Sequence, residues 1–221
     1  MLLALDTATR TLGLALHDGQ QVLAESLWVG GGRHTAELAS EVAWTLRRTG
    51  VPAGALTALA VTRGPGSYNG LRVGLALAKG LALALRIPLL GFPTLAVLVR
   101  AQPRRSGRLL AVLEAGRGRI AALWYKSART GWQPQGDPEA LTWDEALARL
   151  EKPAYICGEI AAEVRGRLAG ESGVELAPPA LCLRRPSLLA EMAWEGLRNG
   201  AAGDPGALNP VYLTERREPA A

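Results

Sequence analysis

Residues 62–85, TRGPGSYNGLRVGLALAKGLALAL, set the tightest condition on how this chain can fold. Three glycines and a proline crowd between Gly64 and Gly70, and an apolar helical pattern starts at once afterwards. In rows of i, i+4, the helix has one small row (Gly70, Gly74, Ala78, Ala82) and one large row (Val73, Leu77, Leu81, Leu85). A third row, Arg72, Ala76, Gly80 and Ala84, is small after its first member, and Leu71, Leu75, Lys79 and Leu83 form the fourth. A helix apolar nearly all round requires burial on more than one side. One side can cover a sheet; the other needs a second helix, either 35–48 of the same chain or one from a partner protein. Each interior glycine costs about 1 kcal/mol relative to alanine, and a close helix–helix approach would offset that cost. On this reading the small row is the docking face, and enlarging Gly74 should obstruct it.

Backbone N–H groups at a helix start attract anions, so the turn Gly64, Pro65, Gly66, Ser67 and Gly70 invites comparison with phosphate loops. A Walker loop needs Gly-Lys-Ser/Thr after four intervening residues. Here Gly70 is followed by Leu71 and Arg72, with no lysine for a phosphate and no hydroxyl for Mg²⁺. The G-x-G-x-x-G spacing also fails, because Gly66 and Gly70 are one residue too far apart. The turn is therefore expected to be structural, a sharp strand-to-helix reversal, with anion binding by the bare helix start as the alternative.

Around it the pattern is regular. Strands are expected at 2–7, 12–17, 21–28, within 55–64, and at 87–92, with Asp18-Gly19 as a hairpin turn between the second and third. Helices are expected at 35–48, where Thr35 is a suitable cap and Glu37 suits the positive dipole end, and at 70–85. The stretch 108–128 echoes 1–19: an apolar strand ending near an acid (Glu114 and Asp6), a short turn, a second apolar strand. After it come a helix at 142–151, a strand at 154–158, and helices near 160–169 and 187–199. Two related halves of β-β-β-α-β-α type, 1–102 and 103–221, imply a duplicated α/β protein joined at "PRRSG".

The chain has 221 residues, 48% of them hydrophobic, which is enough for a real core. Its net charge of +5 would permit contact with RNA or an acidic protein. No dense basic run supports a direct nucleic-acid footprint, however. The two cysteines, Cys157 and Cys182, have no metal-binding or disulfide-framework spacing and read as free thiols of a cytosolic protein. The N-terminus lacks a basic leader, and the greasy stretch 71–99 is interrupted by charges and prolines, so no membrane span is expected.

A catalytic set is hard to assemble. The only histidines are His17, read as exposed at a strand end, and His34, before a helix. No metal-binding histidine pair is present, and Ser67 lacks an evident His/Asp relay. Asp6 and Glu114, ending the two repeat-initiating strands, could help hold a metal–nucleotide, or could satisfy backbone donors of the following turn.

Together, "LLALDTATRTLGLAL", "RHTAELASEVAWTL", "LAVTRGPGSYNGLRVGLALAKGLALALRIPLLGFPTL" and the terminal "NPVYL" resemble the TsaB (YeaZ) family. That family is the non-catalytic part of the bacterial machinery for threonylcarbamoyladenosine at tRNA position 37. The resemblance implies the duplicated fold of actin, Hsp70 and sugar kinases. It also implies pairing of the first-lobe helices with TsaD, or with a second copy when TsaD is absent. Recruitment of TsaE follows, with tRNA met indirectly through the complex. It implies a cytoplasmic, non-catalytic subunit with no cofactor. Interface positions expected on these helices are His34, Glu37, Glu41, Arg72, Gly74, Ala78 and Lys79. Departures are visible: Ala8 stands where phosphate-binding turns of this fold carry glycine, "YICGEI" keeps only Gly158 of a glycine cluster, and Tyr68-Asn69 replaces Phe-Thr. The alternatives are an ATP-dependent kinase or transferase of the same fold, drawing on Asp6, and a glycoprotease-like peptidase using Ser67.

Overall fold

The structure, a computed structural model, describes residues 1–30, 34–129 and 131–213, with the side chains of 34–36 also outside the described set. By internal contacts the chain forms two compact units. Met1–Val97 joins with Arg184–Val211 in one, and Leu98–Leu183 forms the body of the other. This differs from the division at 102/103, because the last helix belongs with the first unit.

The first unit is built on a five-stranded sheet in the order β3-β2-β1-β4-β5. The strands are β1 (Leu2–Asp6), β2 (Thr11–His17), β3 (Val22–Val29), β4 (Ala58–Gly64) and β5 (Leu89–Pro93). β2 runs antiparallel to β1 and β3, whereas β4 is parallel to β1 and β5. Alternation along β1 explains why both faces are covered. Leu3 and Leu5 point into a core with Leu38 and Val42 of α1 (His34–Thr49) and Leu75, Ala78 and Ala82 of α2 (Tyr68–Leu85). Leu2 and Ala4 point the other way, onto Val97 of α3 (Thr94–Arg100) and Leu189, Ala190 and Ala193 of a helix at Pro186–Arg198. A sheet buried on both faces reads as the continuous apolar run seen in the sequence. The expected Asp18-Gly19 turn forms: Asp18 N–H donates to Gln21 O at 3.2 Å, and the Asp18 carboxylate accepts from the Gln20 and Gln21 N–H groups. His17, expected to be exposed, is instead buried, and its Nδ1 accepts from Gly19 N–H at 2.9 Å.

The second unit repeats the topology. Its strands are β6 (Arg108–Gly116), β7 (Arg119–Ala128), β8 (Gly131–Pro134), β9 (Glu139–Thr142), β10 (Ala154–Gly158) and β11 (Val174–Leu176). They follow the order β11-β10-β6-β7-β8, with β9 paired to β7. β6 is antiparallel to β7 and parallel to β10, as β1 is to β2 and β4. The 1–19/108–128 echo is thus a repeated hairpin. Its helices are α4 (Trp143–Ala148), which starts on a capping box from Thr142 and Glu145, and α5 (Ala162–Ala169); α6 (Pro186–Arg198) follows them in the sequence but belongs to the first unit. Cys157 and Cys182 are free; burial pushes the Cys157 thiol up.

Candidate functional site

β1 ends at Asp6, and the turn that follows is filled by the chain itself. Asp6 Oδ1 accepts from Ala8 N–H at 2.9 Å and from the Thr62 hydroxyl of β4 at 2.8 Å. Its Oδ2 faces Arg184, whose Nε lies 2.8 Å away, with both side chains only 2% exposed. Arg184 also donates through Nη2 to Thr9 Oγ1 at 2.6 Å and to Thr11 O at 3.1 Å. A buried guanidinium–carboxylate pair costs more in desolvation than a surface pair, and it persists only when the remaining donors are met. Here the turn's own oxygens meet several of them. The acid that could have helped hold a metal–nucleotide is thus neutralised by an internal cation from the segment before α6.

The glycine turn packs onto the same place. Ser67 N–H donates to Ala8 O at 2.6 Å, and the Thr7 hydroxyl donates to Gly70 O at 2.7 Å. A Cβ at Gly66 would sit 2.3 Å from Ala8 O, and one at Gly70 would sit 2.2 Å from Thr7 O. Gly64 has φ of +125°, and its Cβ would meet Val211 O at 2.0 Å, because Val211 N–H donates to Arg63 O alongside. Val211 of the terminal "NPVYL" stretch is thus a clamp on the turn. Ser67 is an exposed cap for α2, accepting from Gly70 N–H at 3.3 Å. The glycines bring backbone against backbone within the chain.

That packing corrects two of the expected interface positions. Gly74 and Ala78 lie on the inner row of α2. Ala78 is fully buried, and a Cβ on Gly74 would sit 2.1 Å from Thr7 Oγ1. The small row was made for α2 to approach its own sheet and first turn. The outward row is the other small one: Arg72, Ala76, Gly80 and Ala84 are exposed, and nothing lies within 4 Å of a Cβ at Gly80. Leu83 beside them is 67% exposed and Tyr68 56%. The Arg72 guanidinium bonds the Tyr68 hydroxyl and lies 4.9 Å from its ring centre, which fixes a cation on this face. Lys79 is half-buried at the edge of the face. On α1, which packs beside α2, Trp44 is 43% exposed under the Arg48 guanidinium. Glu37 and Glu41 turn toward β3 instead, accepting from Trp28 Nε1 and Ser26 Oγ. His34 opens α1, but its side chain lies outside the described residues.

Periodicity separated the two small rows of α2 but could not say which one the sheet takes. Arg184 was missed because a lone arginine 178 positions from its partner leaves no local signal. Glu25 was missed for the same reason. From β3 its carboxylate accepts from the Ser187 N–H at 3.0 Å and hydroxyl at 2.6 Å, and it pairs with Arg185, capping α6. Burial alone would raise the Glu25 carboxyl, but the bonds from Arg185 and Ser187 outweigh it and hold the group below the usual carboxylate range. Among the described residues no three His, Cys, Asp or Glu gather as a metal site, and no helix is long and apolar enough to cross a membrane.

Comparison with known proteins adds three findings. The family model for TsaD, tRNA N6-adenosine threonylcarbamoyltransferase, matches residues 30–158. The tRNA threonylcarbamoyladenosine biosynthesis protein TsaB of Escherichia coli is 29% identical, covering 96% of this chain and 94% of its own length, and that of Bacillus subtilis is 29% identical, covering 96% and 93%. The solved structure of YeaZ from Pseudomonas aeruginosa superposes with a TM-score of 0.77 at 26% identity, covering 96% of this chain and 99% of that one.

Proposed function

The chain belongs to the family that the TsaD model describes, in its TsaB (YeaZ) branch with the duplicated actin-like fold, and from that premise we propose that it serves threonylcarbamoyladenosine synthesis as a docking subunit rather than as a catalyst. It pairs with a TsaD-type transferase through the outward face of α1 and α2, pairs with itself when that partner is absent, and supports recruitment of TsaE. tRNA is met through the complex. The single observation that supports this most is the outward row of α2, where Ala76 and Gly80, with Leu83 beside them, leave an apolar, low-relief strip uncovered by the described residues. Small residues let a facing helix come close, and Leu83 and Tyr68 supply area to bury. The Arg184–Asp6 pair weighs against the kinase reading, because a metal–nucleotide at Asp6 would have to displace a buried, hydrogen-bonded guanidinium.

The test is co-purification with the cognate TsaD-type protein and a tRNA modification assay with each subunit omitted. Gly80→Leu and Leu83→Asp should abolish pairing and modification while the melting temperature holds. Unchanged pairing in both variants would place the contact elsewhere, and micromolar Mg-ATP binding by the lone chain would restore the kinase.

A further inference from the structure

Apart from the α2 face, the first unit has an open sheet edge with its own chemistry. β3 ends the sheet, and no strand among the described residues pairs with its outer side. Gly30 donates its N–H to Arg10 O at 2.8 Å, opposite in the β2–β3 register. Antiparallel pairing alternates, so the N–H groups of Val29, Leu27 and Glu25 point off the sheet. A row of free backbone groups is a template for another strand, and chains usually blunt it with lysines, proline or a cover. β3 carries neither lysine nor proline. A cleft of about 830 Å³ follows this edge, walled by α1 and by side chains from both faces of the strand. Val29, on the cleft wall, is 68% exposed.

Charge says what would fill it. The whole chain carries +5, yet the described lining of the cleft holds three carboxylates, Glu25, Glu37 and Glu41, and one arginine, Arg47, with Arg48 lying over Trp44. Arg185 answers Glu25, while Glu37 and Glu41 accept from the neutral donors Trp28 and Ser26. Trp28 offers flat apolar area on which an alkyl or guanidinium group can lie, and Trp44 already carries the Arg48 guanidinium over its ring. A phosphate backbone would be repelled here. Two copies joined edge to edge would set like charges against each other. We propose that the β3 edge and the α1 cleft bind an extended, Arg- or Lys-bearing segment of a partner protein, which adds a strand to β3 and places its cations on Glu37 and Glu41. This contact is separate from the α2 strip and stands or falls without it.

Hydrogen exchange of the full chain tests it, with a synthetic peptide alternating Arg and Val as the probe and one alternating Glu and Val as the control. The basic peptide should slow exchange at the Glu25, Leu27 and Val29 amides roughly tenfold, and the acidic one should leave them unchanged. Glu37→Arg with Glu41→Arg should weaken binding roughly tenfold or more. Val29→Pro, tolerated at an edge because its N–H points outward, should weaken it as well, and Gly80→Leu should leave it intact. Equal protection by both peptides, protection of α2 in place of β3, or undiminished binding by both the charge-reversed and the proline variants would each overturn the proposal.

Discussion

At the residue scale, the side chains that fix the first unit are those that join distant parts of the chain. Arg184 reaches Asp6, Thr9 and Thr11, and its bonds to Asp6 and Thr9 lie out of water. Arg184→Ala would leave Asp6 buried without its cation, at a cost of about 3–5 kcal/mol. Urea unfolding should show this as a lower midpoint with the slope unchanged. Adding Asp6→Asn should recover part of the loss, because the uncompensated charge is the larger share of it. Glu25 gives a pH signature. Its folded carboxyl titrates below its ordinary value of 4.5, so its contribution is fully present above that value and is lost as the pH falls through the lower, folded one. The gap in melting temperature between the natural chain and Glu25→Gln should be constant from neutral pH to about pH 5 and narrow below pH 4. A gap that stays constant to pH 3 would remove Glu25 as the anchor of α6.

At the element scale, α2 shows what a sequence can and cannot say. The element itself was legible, because a glycine turn followed by an apolar 3.6-residue period has few other outcomes. So were the five strands of the first sheet and the repeated hairpin, each bounded by turn residues. The orientation of α2 was not legible. Both Gly70–Ala82 and Arg72–Ala84 are rows of small residues, and only the position of Thr7 on the neighbouring turn decides which row is pressed inward. The short strands β8, β9 and β11 were also missed, being three or four residues long and half-exposed, with too little period to register. The two interior glycines of α2 should therefore behave oppositely. Gly74→Ala forces a methyl against Thr7 Oγ1 and should destabilise the chain by about 1–3 kcal/mol. Gly80→Ala meets nothing and relieves helix entropy, so it should stabilise by about 1 kcal/mol. Thermal melts of the two variants side by side check this. Exchanged signs would mean that the inward and outward rows had been reversed, and equal shifts that neither row is pressed inward.

At the scale of the whole molecule, the chain leaves its first unit within α3 and returns to complete it. The sequence suggested two consecutive halves, because duplication of the strand pattern gives no indication that a helix after the second repeat belongs to the first. The physical reason for the return lies in β1 and β4. Leu2, Ala4, Ala58 and Ala60 line the sheet face away from α1 and α2, and α6 covers them with Leu189, Ala190 and Ala193. The same segment brings Arg184 to Asp6, Ser187 to Glu25, and Val211 to the glycine turn. A chain ending at Leu183 would lose these cross-links together and open that apolar face to water. It should expose a contiguous patch, bind a hydrophobic dye, and lose the cooperative unfolding of residues 1–97. Supplying 184–221 in trans as a peptide should restore cooperativity, because the missing contacts are side-chain contacts that do not require chain continuity. If the shortened chain melts as sharply as the full one, α6 is an ornament on an already complete sheet. The Asp6–Arg184 pair could then not be what closes the first turn.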